Sequence, residues 1–182
     1  MSRPRRQPAR TRPRAGHRRA PARRAAAVSA LAMATLAACA ACTPAVSVDV
    51  APHAADPVCA SVVLALPAEL AQFGHLNTTS QATAAWGDPA APIVLRCGVD
   101  LLPPTTDKCV TATDSTGTSV DWVAVEGHPD ADTKARWTFT TYGREPAVEV
   151  TVPPEVTSAG STSFLVDLGK AVAKAKKLRS CV

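Results

Sequence analysis

Four cysteines, Cys59, Cys97, Cys109 and Cys181, constrain this chain more than any other feature. What they can do depends on where the chain resides. Thiols in the cytoplasm stay reduced, whereas thiols outside it pair. The N-terminus argues for outside. Residues 1–24 hold ten arginines and no acid, and the apolar run Ala25–Ala38 (AAAVSALAMATLAA) follows directly. A basic leader before fourteen uncharged, mostly small residues has the shape of an export signal. The run is too short to span a bilayer, which takes about 20 apolar residues. A basic arm for nucleic acid or anionic lipid would not run straight into such a segment. The arginines Arg23 and Arg24 abut the run, but Ala26 and Ala27 stand where a twin-arginine signal has bulkier residues, which favours the general export route.

The leader also hides the charge of the rest. Of 20 Lys and Arg residues, ten lie in residues 1–24, so residues 25–182 carry ten bases against fifteen acids. A folded body with that balance is not a nucleic-acid binder.

The apolar run ends in Leu36-Ala37-Ala38-Cys39. This is similar to the lipobox of bacterial lipoproteins, whose Cys takes a diacylglyceryl group and becomes the new N-terminus. The resemblance implies a lipid on Cys39 and a signal peptide over residues 1–38. Plain cleavage at an Ala-x-Ala site, with a secreted product, is the alternative. Acyl chains contribute about 0.8 kcal/mol per buried CH₂, so two chains hold stably where one is marginal. Residues 39–56 lack bulky apolar residues and any period, which predicts a flexible tether reaching at most about 60 Å. One extracytoplasmic domain, residues 57–182, is left.

Asp56-Pro57 is a helix start, with Asp as N-cap and Pro at the first helical position, and Pro67 stops the helix. A second helical turn is expected at 68–73. Gly87-Asp88-Pro89 marks a turn. Strands are expected at 92–99, 108–112, 119–126, 136–142 and 147–152, with a hairpin at Gly143-Arg144-Glu145-Pro146. Val148, Val150 and Val152 alternate with Glu149 and Thr151, the pattern of a sheet with one covered and one wetter face. Phe164, Leu168, Ala171, Val172, Ala175 and Leu178 line one face of a C-terminal helix. The expected fold class is α+β: an antiparallel sheet of about four to five strands with N- and C-terminal helices packed on it. Among three pairings of the domain cysteines, Cys97–Cys109 and Cys59–Cys181 are the ones expected. The first would join strands taken as neighbours, the second the first helix and the C-terminus.

Catalytic templates are absent: there is no GxSxG, HExxH, P-loop or GxGxxG. His128, Asp130 and Asp132 in GHPDAD are two apart, but Gly127 and Pro129 argue for a turn, where alternate residues do not converge, and no CxxC spacing within residues 57–182 suggests zinc. No metal or cofactor is expected. Arg96, Tyr142 and Arg144 are the one polar group worth singling out, because arginine forks suit carboxylate or phosphate. The plainer reading pairs Arg96 with Asp100 or Asp121, and Arg144 with Glu145 or Glu149.

A set of motifs gives a family likeness: Asp56-Pro57-Val58-Cys59, Leu66-Pro67, Trp86-Gly87-Asp88-Pro89, Leu95-Arg96-Cys97-Gly98-Val99, Val120-Asp121-Trp122, Thr141 to Pro146, and Ser180-Cys181. Over Asp56 to Val182 the chain resembles small exported proteins of high-GC Gram-positive bacteria, classified only as a domain of unknown function. The resemblance implies an exported or lipid-anchored envelope protein and supplies no activity. Position without a legible active site favours a noncatalytic binding or accessory module at the outer face of the cytoplasmic membrane. Its partner would be an envelope protein or polymer. The alternative is a small extracytoplasmic hydrolase with an unrecognised constellation.

Overall fold

A computed structural model describes residues 44–127, 136–157 and 161–181. The signal region, Cys39, Cys42, His128, Asp130 and Asp132 lie outside the described residues. Helix α1 (Pro57–Leu64) starts as expected, with the Asp56 carboxylate accepting the Val58 N–H at 2.8 Å and Pro57 in the first turn. It buries Cys59 and Val62.

The next segment departs from expectation. Instead of a helical turn, residues 68–73 form a hairpin of β1 (Glu69–Leu70) and β2 (Phe73–Leu76). Its turn places Ala71 and Gln72 at positive φ, 50° and 70°. Neither residue favours that region, so the usual Asn-Gly or Asp-Gly signal is missing. Strand β3 (Thr83–Asp88) is buried on both faces from Thr83 to Trp86, which erases the alternation that marks a strand.

The remaining elements are β4 (Ala91–Val99), β5 (Lys108–Thr113), β6 (Ser119–Glu126), β7 (Trp137–Thr141), β8 (Arg144–Glu145), β9 (Ala147–Val152), α2 (Pro154–Thr157), α3 (Phe164–Val172) and β10 (Lys176–Lys177). Eight strands form one antiparallel sheet in the order β1-β2-β3-β4-β9-β7-β6-β5, and β8 pairs with β10 beside it. The α+β expectation with four to five strands is therefore corrected: the domain is mainly β, with helices of eight, four and nine residues among the described residues. The C-terminal helix ends at Val172, so Leu178 is 47% exposed rather than on a helical face.

One face of the sheet carries the core. Trp86, Leu95, Trp122, Phe139, Val148 and Val150 pack under Val62 of α1 and Phe164, Leu165 and Leu168 of α3. The Phe139 and Phe164 rings meet edge-on at 5.4 Å. Burying such side chains stabilises the fold by about 1.5–3 kcal/mol each. Val148, Val150 and Val152 point into this core as their alternation required.

The disulfides are Cys59–Cys97 and Cys109–Cys181, not the expected pairs. Cys97 on β4 and Cys109 on β5 are consecutive in sequence among the strand cysteines, yet β9, β7 and β6 lie between their strands. Helix α1 lies over β4, which brings Cys59 to Cys97, while the chain end returns to β5. In the chain-entropy account, loops of 38 and 72 residues contribute about 4 kcal/mol each.

The opposite face is partly covered by a strap from residue 44 to Asp56. The Val46 N–H donates to the Asn77 carbonyl (2.8 Å), the Thr79 N–H to the Val46 carbonyl (3.0 Å), and the His53 N–H to the Gly98 carbonyl (2.8 Å). Val46 and Val48 cover Ala85, and Ala51 and Ala54 pack on Val99 and Ala147. The expected tether thus ends by Val46 rather than at Asp56. Main-chain hydrogen bonds and small residues hold the strap, and neither leaves a periodic pattern in the sequence.

Candidate functional site

Beyond the strap, the front face runs across β9, β7, β6 and β5. Registration places Cys109, Val123, Thr140, Glu149 and Arg96 in one row across these strands and β4. Threonines and one ion pair make this half of the face polar, while Val125 at its margin is 47% exposed.

At the β5–β6 end the face becomes a groove of about 560 Å³. Val123 forms its floor, and Thr105, Thr106 and Asp107 from the β4–β5 loop form one wall. Tyr142 and the Cys109–Cys181 disulfide complete it. The loop is fixed locally: the Thr105 hydroxyl donates to the Asp107 carboxylate (2.6 Å) and accepts the Asp107 N–H (3.1 Å). The Arg179 guanidinium lies over the Tyr142 ring at 4.9 Å and donates to the Leu102 carbonyl. The Leu178 and Arg179 N–H groups both donate to the Gly143 carbonyl, at 2.7 and 3.3 Å. Gly143 has φ 65°, and a Cβ there would lie 2.4 Å from Arg179, so only glycine allows this approach.

The three residues singled out in the sequence are dispersed. Arg96 donates from Nε (3.1 Å) and Nη2 (2.7 Å) to one carboxylate oxygen of Glu149. Its partner is thus an acid, though not Asp100 or Asp121. It stands three strands from Val123 in the row, roughly 14 Å at the usual strand spacing. Arg144 points into the protein, donating to the Ala175 (2.9 Å) and Ser119 (2.8 Å) carbonyls. Burial pushes its guanidinium pKa down, and the nearby Asp121 charge opposes that shift. Only Tyr142 lines the groove. A cation beside the groove is Arg179, stacked on Tyr142, which the sequence analysis did not single out.

The chemistry of the lining is hydrogen bonding and stacking. It offers two threonine hydroxyls, one carboxylate, one phenol and a disulfide, whose sulfurs are not nucleophiles. Asp114, whose carboxyl is held below its ordinary value chiefly by the Thr116 hydroxyl, belongs to the β5–β6 turn and not to the groove. The Cys109 and Cys181 sulfurs and an Asp121 oxygen lie within 4.8 Å of one another, but the sulfurs are bonded to each other. A second recess of about 360 Å³ has an apolar floor of Trp86 and Ile93, with Phe73, Asp88 and Glu155 around it.

The family model described as a protein of unknown function, DUF3515, matches residues 23–181. The chain belongs to this family. The DUF3515 match begins before the apolar run and takes in the strap, the groove and all four paired cysteines. No curated protein and no solved structure matches the chain. Two disulfides in this DUF3515 domain point to an oxidising, extracytoplasmic compartment.

Proposed function

We propose that this DUF3515 protein is an exported, lipid-anchored envelope protein of a high-GC Gram-positive bacterium. In this reading it acts as a noncatalytic binding module at the outer face of the cytoplasmic membrane. The groove beside Tyr142 carries the proposal. It is wide and lined by groups that hold a ligand rather than transform one. A hydroxyl-rich wall with one aromatic face suits a polar envelope polymer or an extended peptide. The lipobox at Cys39 supports the anchor, since an N-terminal lipid would keep such a module at the membrane surface.

A photoreactive side chain at Thr106, within the groove, and another at Thr116, in the exposed β5–β6 turn, test the binding site in native envelope. The expected result is a discrete adduct from position 106 that Tyr142→Ala abolishes, and none from 116. Equal labelling from both positions would sink the proposal. The anchor is tested by intact mass of the membrane-extracted chain, which should begin at a diacylated Cys39. Replacing Cys39 by Ser should release or misprocess the protein.

A further inference from the structure

We propose that Cys109, Cys181 and Asp121 form a zinc-class metal site when the Cys109–Cys181 disulfide is reduced. The three donors come from β5, the end of the chain and β6, and their ligating atoms already lie within 4.8 Å of one another. Asp121 is only 7% exposed. Its Oδ1 accepts the Thr111 hydroxyl at 2.7 Å and its Oδ2 accepts the Cys181 N–H at 3.2 Å. The Thr111 contact, made between β5 and β6, aims the carboxylate whether or not the sulfurs are joined. Orientation of this kind by an outer hydrogen bond is what metal ligands require.

Two thiolates and one carboxylate suit a four-coordinate zinc-type ion, and the groove gives the fourth position to water. With metal–sulfur bonds of about 2.3 Å, the sulfurs must separate to roughly 3.8 Å. Cys181 follows β10 and belongs to no strand, so it can move that far without disturbing the sheet ladder. Selectivity follows from burial. Cys59 and Cys97 are 0% exposed, whereas Cys109 and Cys181 line the groove. An attacking thiolate needs access to a sulfur, so the second disulfide opens first.

The reductant is a dithiol, either a small molecule or a dithiol oxidoreductase. One of its thiolates attacks a groove sulfur and forms a mixed disulfide. Its second thiol then closes its own disulfide. The dithiol is oxidised, and two electrons and two protons pass to Cys109 and Cys181. The metal ion binds as both thiol protons leave to water.

The test uses the full chain with Cys39→Ser and Cys42→Ser, so that only the four paired cysteines remain. After native treatment with a small dithiol and alkylation, peptide mapping should find alkyl groups on Cys109 and Cys181 and none on Cys59 or Cys97. Reduced protein should bind one Cd²⁺, used as the probe, with ultraviolet cadmium–thiolate absorption that oxidised protein lacks. Adding Cys109→Ser and Cys181→Ser should abolish it. Asp121→Asn should weaken binding at least tenfold. Thr111→Val, a milder change on an exposed position, should weaken it around tenfold. The proposal is overturned if all four cysteines alkylate together, if the chain lacking Cys109 and Cys181 still binds Cd²⁺, or if neither Asp121→Asn nor Thr111→Val changes affinity.

Discussion

Arg144 shows how far a residue's surroundings can lie from what its neighbours in sequence suggest. Flanked by Gly143 and Glu145, it looks like an exposed turn residue, yet it is 7% exposed and binds two carbonyls from distant elements. The cause is the pairing of β8 with β10, a strand of two lysines after α3 that no periodicity announces. Arg144→Met would leave the Ala175 and Ser119 carbonyls unpaired and remove the cation beside Asp121. The expected loss is about 3 kcal/mol, read as a lowered urea midpoint at unchanged m-value. Asp114 makes a separate prediction. Its folded carboxyl lies below the ordinary value of 3.8, chiefly through the Thr116 hydroxyl, with the Thr118 and Thr116 N–H groups adding to the effect. The unfolded chain therefore binds the proton more tightly. The resulting stability is fully present above that ordinary value and is lost as pH falls through the folded one. Asp114→Asn should flatten this part of the acid limb of a stability–pH profile. A limb unchanged by the substitution would contradict the assignment.

At the scale of elements, legibility followed pattern. The strands at 92–99, 119–126 and 147–152 and the start of α1 were readable because alternation, β-branching and an Asp-Pro cap are local signals. The first three strands were not, since β3 is buried on both faces and the β1–β2 turn uses Ala71 and Gln72 at positive φ. The error in disulfide pairing came from assuming that strands consecutive in sequence are neighbours in the sheet. Nonreducing peptide mapping should recover Cys59 joined to Cys97, and a Cys97–Cys109 peptide would refute the sheet order. Gly98 tests the strap. It sits at a register shift in β4 with φ 88°, and a Cβ there would lie 2.4 Å from the His53 carbonyl carbon and oxygen. Gly98→Ala should cost about 2–4 kcal/mol through backbone strain and displacement of the strap. Limited proteolysis should then cut within residues 44–56, where the parent domain resists. Of the groove, Tyr142 and the two cysteines, Cys109 and Cys181, were singled out in the sequence, the cysteines with other partners. Its other walls meet through a chain end and a loop whose proximity no spacing encodes.

For the whole molecule, the strap changes what an anchor at Cys39 would mean. A tether of residues 39–56 would let the domain roam about 60 Å from its lipid. Main-chain hydrogen bonds instead seize the chain at Val46. Six residues, 40–45, then separate Cys39 from Val46, a contour of roughly 25 Å at full stretch. With the proposed lipid on Cys39, a protein leashed that closely would be confined to the lipid surface and its immediate layer. It would then meet partners that are themselves membrane-bound or newly emerging from the bilayer, and the outer reaches of the wall would lie beyond it.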